Sequence, residues 1–486
     1  MLIHPGVGMG FSTILHPQIK EISTDQNSWI ASLVAFGTPV GALSAGPIMD
    51  RLGRRATCIL TCGVAIASWS SLVFMPANFS MTLLYIGRIL SGVAGGLTSA
   101  GLLYVSEVAN KYWRSVFLGF ASVLLSAGVL LVTTIGLLLD WWHFSILCLF
   151  IAIINLFTLL TIPESPHWLH RRRPEKAKRA LMRLNKNKLN FEEEWENLTE
   201  QQRKKLKAES EGIKKPSMTS RQIYRPFILL IITFTLQQMC GVYPIIFYSL
   251  EIFQAITSAG STSTGGLSLN ATFTDEAPGL SSNATFNASL VGGLEASVFP
   301  DVNWTVVEDA AHNQDHRYDH QIKSLIGVGL IRFVMSILAV SLSRRVGRRP
   351  LLISSCAGSA VAGFAFSLYF LGLFSDPTEL DDVVSLSLVL GFLLFSSYGL
   401  LVIPWAQIGE LVPTSHRAKG GSLLISYAYF LMFLVVKMYP FAMEVFGVGL
   451  MFLFFSTVMT IQGFFVYFYI PETMGKTFTE IEKYFE

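Results

Sequence analysis

Two adjacent amides, Gln237 and Gln238, lie inside an apolar run, and a single arginine, Arg332, stands in the middle of another, SLIGVGLIRFVMSILAV. Among hydrocarbon side chains an amide or a guanidinium is costly without a partner. The amides offer donors and acceptors either to a neutral polar solute or to a neighbouring helix. An arginine at mid-span is a functional hypothesis by default: it binds an anionic or strongly polar molecule, or it pairs with another residue of the chain. A second constellation suits ion pairing, because Glu107 precedes Arg114 by seven residues and Glu410 precedes Arg417 by the same seven. No catalytic or metal-ligand spacing appears among the His, Cys and acidic residues, and no phosphate-binding glycine loop, so neither an enzyme nor a metal or cofactor site is expected.

The elements that carry these residues follow from composition. Of 486 residues 51% are hydrophobic and 14% charged, with a mean hydropathy of +0.50. That leaves too little polar surface for a soluble globule of this length. Eleven segments are long and apolar enough to cross a bilayer: 27–49, 56–76, 81–105, 114–139, 143–162, 226–254, 324–343, 350–374, 382–412, 416–444 and 446–470. They must be helices, giving an all-α polytopic membrane protein. Met1 to Leu15 is apolar but short, and reads as the back half of a first helix or as a start codon set inside one. It lacks the basic region and cleavage site of a secretory signal. Cys58, Cys62, Cys148, Cys240 and Cys356 all fall inside apolar segments, where a thiol acts as a small hydrophobe.

Charge sets the expected orientation. Residues 163–225 hold 17 Lys plus Arg against 9 acids, whereas 252–322 hold one Arg against 8 acids. The first loop is therefore predicted to be cytoplasmic, and the short basic turns agree: Arg51, Arg54 and Arg55, then Arg344, Arg345, Arg348 and Arg349. The acidic loop contains four glycosylation acceptors, Asn270, Asn283, Asn287 and Asn303, as an extracellular loop of a plasma-membrane protein would. Pro174–Leu189 and Phe191–Leu206 read as amphipathic surface helices. The basic stretches flank membrane helices and do not suggest nucleic acid.

The pattern repeats. Gly53 recurs as Gly347, the Glu107 and Arg114 pair as Glu410 and Arg417, and Pro163-Glu164-Ser165 as Pro471-Glu472-Thr473. Two homologous six-helix halves follow: 1–162, and 226–470 with 252–322 inserted, joined by the linker 163–225 and ending in a tail, 471–486. One asymmetry stands out, since Asp50 of the first basic turn is matched by Arg344 in the second.

DRLGRR at 50–55, Gly87-Arg88, PESPHWL at 163–169, QQMCGVYPIIFYS at 237–249, PWAQIGELVPTSHR at 404–417 and PETMGKT at 471–477 together resemble the sugar porter family of major facilitators. QNSWIASL after the first helix and Lys437, twenty residues past Arg417, are most similar to its insect facilitated trehalose and glucose transporters. The resemblance implies a major facilitator fold of twelve helices, the first shortened, with the substrate site between the halves. It implies sugar contacts at Gln237, Gln238, Tyr243, Tyr248, Trp405 and Tyr429, the last standing where the family has a second tryptophan, beside Ala428. Ser122 and Ser397 stand where glucose porters often have Gln and Glu, and Arg332 where the family has Asn or Gln. The inner gate is expected from Asp50, Arg51, Arg54, Arg55, Arg88, Glu107, Arg114, Glu164, Arg344, Arg345, Arg348, Arg349, Glu410, Arg417 and Glu472, through ion pairs between the halves that close the cytoplasmic side. Proton-driven relatives carry an acid in the first helix. Gly6 to Ser12 has none, so facilitated diffusion is expected, with a sugar and the bilayer as partners and the chain a monomer. Two other readings stay open: a transport-inactive sugar receptor, and a porter of a non-sugar solute, anions included.

Overall fold

In the computed structural model the described residues are 1–263 and 304–485, except 16–17, 20–22, 76–79, 110, 171, 185–190, 208–220, 344, 372–380, 413–416, 475, 477 and isolated positions between 193 and 206. Arg344, the acceptors Asn270, Asn283, Asn287 and Asn303, and the side chains of Arg114 and Arg417 lie outside that description.

Six paths through the membrane region come first, of which α1 is short: α1 (His4–Leu15), α2 (Thr24–Leu52), α3 (Arg54–Val73), α4 (Met81–Leu97) continued by α5 (Ser99–Val108), α6 (Lys111–Leu138) and α7 (Trp141–Thr161). Two surface helices follow, α8 (Pro166–His170) and α9 (Pro174–Leu184). The second six crossings are a broken path of α10 (Arg221–Met239), α11 (Val242–Phe247) and α12 (Ser249–Ser263); then α13 (Trp304–Leu342); α14 (Arg348–Phe370); α15 (Asp381–Tyr398) with α16 (Ile403–Leu411); and α17 (Arg417–Tyr469), which folds back at Gly447 and crosses twice. A last helix, α18 (Phe478–Tyr484), follows. At about 1.5 Å per residue the 12-residue α1 covers only about 18 Å of a roughly 30 Å core, whereas its neighbours span it.

The halves meet along two seams, α2 against α17 and α6 against α13. Large apolar side chains such as Phe150, Phe157, Leu138, Val361, Phe464 and Phe468 point outward and exposed, as a lipid-facing surface requires. The helix ends form two faces. A basic face carries the turns at 50–55 and 345–349 together with α8, α9 and α18; the opposite face carries the starts of α2 and α4. On the basic face α9 buries Ala177, Ala180 and Leu181 and leaves its charges in water, as its amphipathic pattern predicts. Its expected extension to Leu189 falls on residues outside the description.

Inside the first half, α2 and α4 approach so closely that a Cβ at Gly92 would run into the Val34 carbonyl. Gly46, on α2, faces open space instead. Gly92→Val should therefore cost roughly 1–3 kcal/mol of stability by overpacking, lowering the melting temperature in fluorescence-detected size exclusion, while Gly46→Ala leaves it unchanged.

Candidate functional site

Two helix breaks organise the interior. Pro404 has no N–H, so the carbonyl of Leu400, four residues earlier, loses its helical partner. Gln237 Nε2 donates to that carbonyl at 2.7 Å and closes the kink between α15 and α16. Its Oε1 and both ends of the Gln238 amide make no hydrogen bond, although both residues are fully buried. The second break lies just beyond. Helix α10 stops at Met239, Cys240 Sγ donates to the Gln237 carbonyl at 2.7 Å, and Gly241 at φ +80° turns the chain into α11. The Phe455 ring occupies the space a Cβ at 241 would need, so only glycine satisfies both the dihedral and the contact.

Aromatic rings stand beside these breaks. Phe234 meets Trp405 edge-on at 5.1 Å, and Trp405 lies 5.3 Å from Tyr429. The buried Tyr243 phenol sits among Tyr429, Arg332 and Trp405. Arg332 is 3% exposed, and its Nε and Nη1 donate to nothing among the described residues. Tyr243, Trp405, Tyr429 and Arg332 are thus neighbours, with Gln237 bonded to the kink that holds Trp405.

Three expected contacts fall elsewhere or are already committed. Tyr248 donates to the Val436 carbonyl at 3.1 Å and stacks on Tyr439 at 5.5 Å. Ser397 Oγ donates back to Leu393 of its own helix at 2.6 Å. A buried hydroxyl in an apolar helix takes the nearest carbonyl, and both protons are used that way. Ser122 is half-buried on α6. Sequence reasoning missed Gln407, 1% exposed on α16 with both amide ends unpartnered. The signal that marked Gln237, an amide within an apolar helix, would have found it.

Arg88 requires a correction. It does not join the ion pairs of the basic face, because it lies near the opposite end of its crossing. Nineteen residues separate it from Glu107, about 28 Å along a helix. Its guanidinium is 1% exposed and donates to the carbonyls of Ile30 at 2.9 Å and Gly8 at 2.8 Å and to Ser12 Oγ at 2.5 Å. It pins α1 and α2 to α4 through neutral acceptors.

The basic face is built twice. Gly53 (φ +103°) opens α3 and Gly347 (φ +94°) opens α14. At each helix N-terminus a carboxylate accepts backbone N–H groups, where the partial positive charge favours it. Glu164 receives Arg54 and Arg55 at 2.8 and 2.9 Å; Glu472 receives Arg348 and Arg349 at 3.1 and 3.0 Å. Arg54 pairs with Glu107 at 3.0 Å and Asp50 at 3.6 Å, and Arg348 pairs with Glu410. Ser165 donates to Glu107, and Thr473 donates to Glu410 at 2.8 Å. Arg55 and Arg349 reach the carbonyls of Leu160 and Tyr467 at the ends of α7 and α17. These pairs of described side chains therefore stay within one half, where the expectation had them joining the two: each arginine finds a glutamate on an adjacent helix end of its own bundle. Arg51 and Arg345 are exposed. The linker contributes Arg172, counted in the sequence only as part of a basic run, which donates to the Asp50 and Arg51 carbonyls at 2.8 and 3.0 Å and caps α2.

Partial burial pushes the Glu472 carboxyl up, but donation from the backbone of Met474, Arg348, Arg349 and Thr473 outweighs it and holds the group below its ordinary value of 4.5. With a depressed folded pKa, its contribution to stability is fully present above the ordinary value and is lost as pH falls through the lower folded one. Melting curves between about pH 3 and 7 should show this acid loss, and Glu472→Gln should start less stable at neutral pH and flatten that part of the profile.

Polar ties between the halves occur at the opposite face. Lys437 of α17 reaches Asp25 Oδ1 at 2.6 Å and Ser28 Oγ at 2.7 Å on α2, with its ammonium 4.2 Å from the Trp29 ring centre. Asn27 donates to Glu251 of α12 at 2.8 Å.

Comparison with known proteins agrees with this architecture. The profile of the family described as "Sugar (and other) transporter" matches residues 10–274 and 311–485. The facilitated trehalose transporter Tret1 of Apis mellifera ligustica is 24% identical over 468 residues, covering 96% of this chain and 80% of that protein. Tret1 of Drosophila willistoni is 25% identical over 467 residues, 95% of this chain, which spans only 46% of that longer protein. Among solved structures, the inward-open xylose transporter XylE from E. coli superposes with a TM-score of 0.71 at 17% identity, covering 100% of this chain and 98% of that one. The proton:xylose symporter XylE bound to 6-bromo-6-deoxy-D-glucose gives 0.66 at 18%, covering 100% and 98%. At such identities the likeness concerns the fold: two six-helix halves of the major facilitator type.

Proposed function

The chain belongs to the sugar (and other) transporter family, and from that premise we propose that it is a facilitative sugar transporter of the plasma membrane, moving trehalose or a hexose down its gradient by alternating access. The basic face is read as cytoplasmic, with the linker 163–225 and the tail inside and the insert 252–322 outside, glycosylated. Residues 1–162 and 226–470 act as the two moving halves.

The observation that carries the reading is the half-satisfied amide pair beside an aromatic cluster. Gln237 Oε1 and the whole Gln238 amide are buried without partners next to the break that holds Trp405. Sugar hydroxyl groups satisfy such amides, and the apolar face of a sugar ring rests on an indole. The places where the halves are tied support alternating access. The Lys437–Asp25 and Asn27–Glu251 contacts seal the outer face, while the ion pairs of the inner face stiffen each half separately, an arrangement suited to the inward-facing state.

Arg88 favours an uncoupled mechanism. Its described partners are two carbonyls and a hydroxyl, none of which exchanges a proton near neutral pH.

Purified protein in proteoliposomes should take up labelled glucose or trehalose saturably, exchange it in counterflow and stop at equal concentrations, at a rate unchanged by an imposed proton gradient. Accumulation driven by that gradient would overturn the uncoupled mechanism, and sugar binding without flux would make the chain a receptor. Lys437→Met removes one of the two outer ties. It should shift the ratio of external to internal KM about fivefold towards the outward-facing state, the equivalent of about 1 kcal/mol.

A further inference from the structure

We propose that Arg332 makes this a site for sugars that bear one carboxylate, a uronate or an aldonate, with the guanidinium as the partner of the anion; the inference rests on the transport site read above. Arg332 stands midway along the apolar span Lys323–Leu342, about 14 Å from either end, too deep to snorkel to a face. A charge at that depth is retained for a reason.

The contrast with Arg88 identifies the reason. Both arginines are buried, but Nε, Nη1 and Nη2 of Arg88 each hold an acceptor, which makes it a strut. Nε and Nη1 of Arg332 hold none. The described carboxylates that form ion pairs are engaged at the two faces: Asp50, Glu107 and Glu410 at one, Asp25 and Asp140 at the other. The described neighbour of Arg332 in the site is the buried phenol of Tyr243.

Chemistry narrows the ligand. A guanidinium presents a planar fork that matches a carboxylate with two parallel hydrogen bonds, stronger than any it makes to a hydroxyl. The remaining groups, the Gln237 and Gln238 amides and the Trp405 and Tyr429 rings, suit the hydroxyl groups and ring face of the same molecule. A phosphate dianion calls for a second cation, and Lys437 is committed to Asp25 at the outer face. A monoanionic sugar is the match.

Full-length purified protein serves for two measurements, with glucuronate and gluconate as charged probes and glucose and glucose 6-phosphate as comparisons. By thermal shift, glucuronate should bind more tightly than glucose or the phosphate. Arg332→Gln should cut the glucuronate-to-glucose affinity ratio by roughly tenfold or more. Arg332→Lys, which keeps the charge without the fork, should fall between. In proteoliposomes, labelled glucuronate should exchange in counterflow and enter faster when the interior is made positive. Glucose exchange with no response to glucuronate, or an affinity ratio unchanged in Arg332→Gln, overturns this inference and leaves the transporter intact. Glucuronate binding with no flux of any sugar supports this inference and overturns the transporter. Should Arg332→Gln fail to accumulate, the Arg332→Lys ratio and the wild-type comparison of glucuronate with glucose decide.

Discussion

A backbone group freed inside hydrocarbon has no water to turn to, and the interior of this molecule is arranged around that constraint. Pro404 strands the Leu400 carbonyl, and Gln237 answers it. The end of α10 strands the Gln237 carbonyl, and Cys240 answers that. Arg88 takes carbonyls from two helices at once. Each bend near the centre thus recruits a polar side chain into the apolar interior, and the partners of those side chains determine what is left over for a solute.

The two faces solve a different problem, how to let halves move without loosening. At the basic face the same device is built twice: a positive-φ glycine, a glutamate seated on a helix N-terminus, and an Arg–Glu pair braced by a hydroxyl. Each copy locks the helix ends of its own bundle. At the opposite face, Lys437 and Asn27 tie one bundle to the other. The ion pairs that stiffen each half and the ion pair that joins them are therefore at opposite ends, while Thr13 and Ser426 add hydrogen bonds between the halves in the interior.

The helical architecture was legible in the sequence because hydrocarbon leaves a spanning segment no alternative to a run of about 20 apolar residues, and because duplication left Gly53 and Gly347 in matched places. The grouping of Trp405, Tyr429 and Tyr243 was legible only through resemblance, since nothing local brings α11, α16 and α17 together. The depth of Arg88 could have been read by counting residues along its helix, yet its motif drew it toward the gate. Whether Glu107 bridges halves or braces one is a long-range fact that spacing cannot state. The uses of the Tyr248 and Ser397 protons depend on which carbonyl is nearest in three dimensions.

Gln237 carries a last consequence. Its amide is divided, with the donor end fastening the hinge at Leu400 and the acceptor end buried without a partner among the described residues. Truncation at 237 therefore deletes two roles at once, leaving a stranded carbonyl in the joint as well as a missing contact, and a loss of flux there is ambiguous between a slack hinge and an empty grip. Gln238, whose amide fastens nothing among the described residues, is the position at which grip can be weighed by itself.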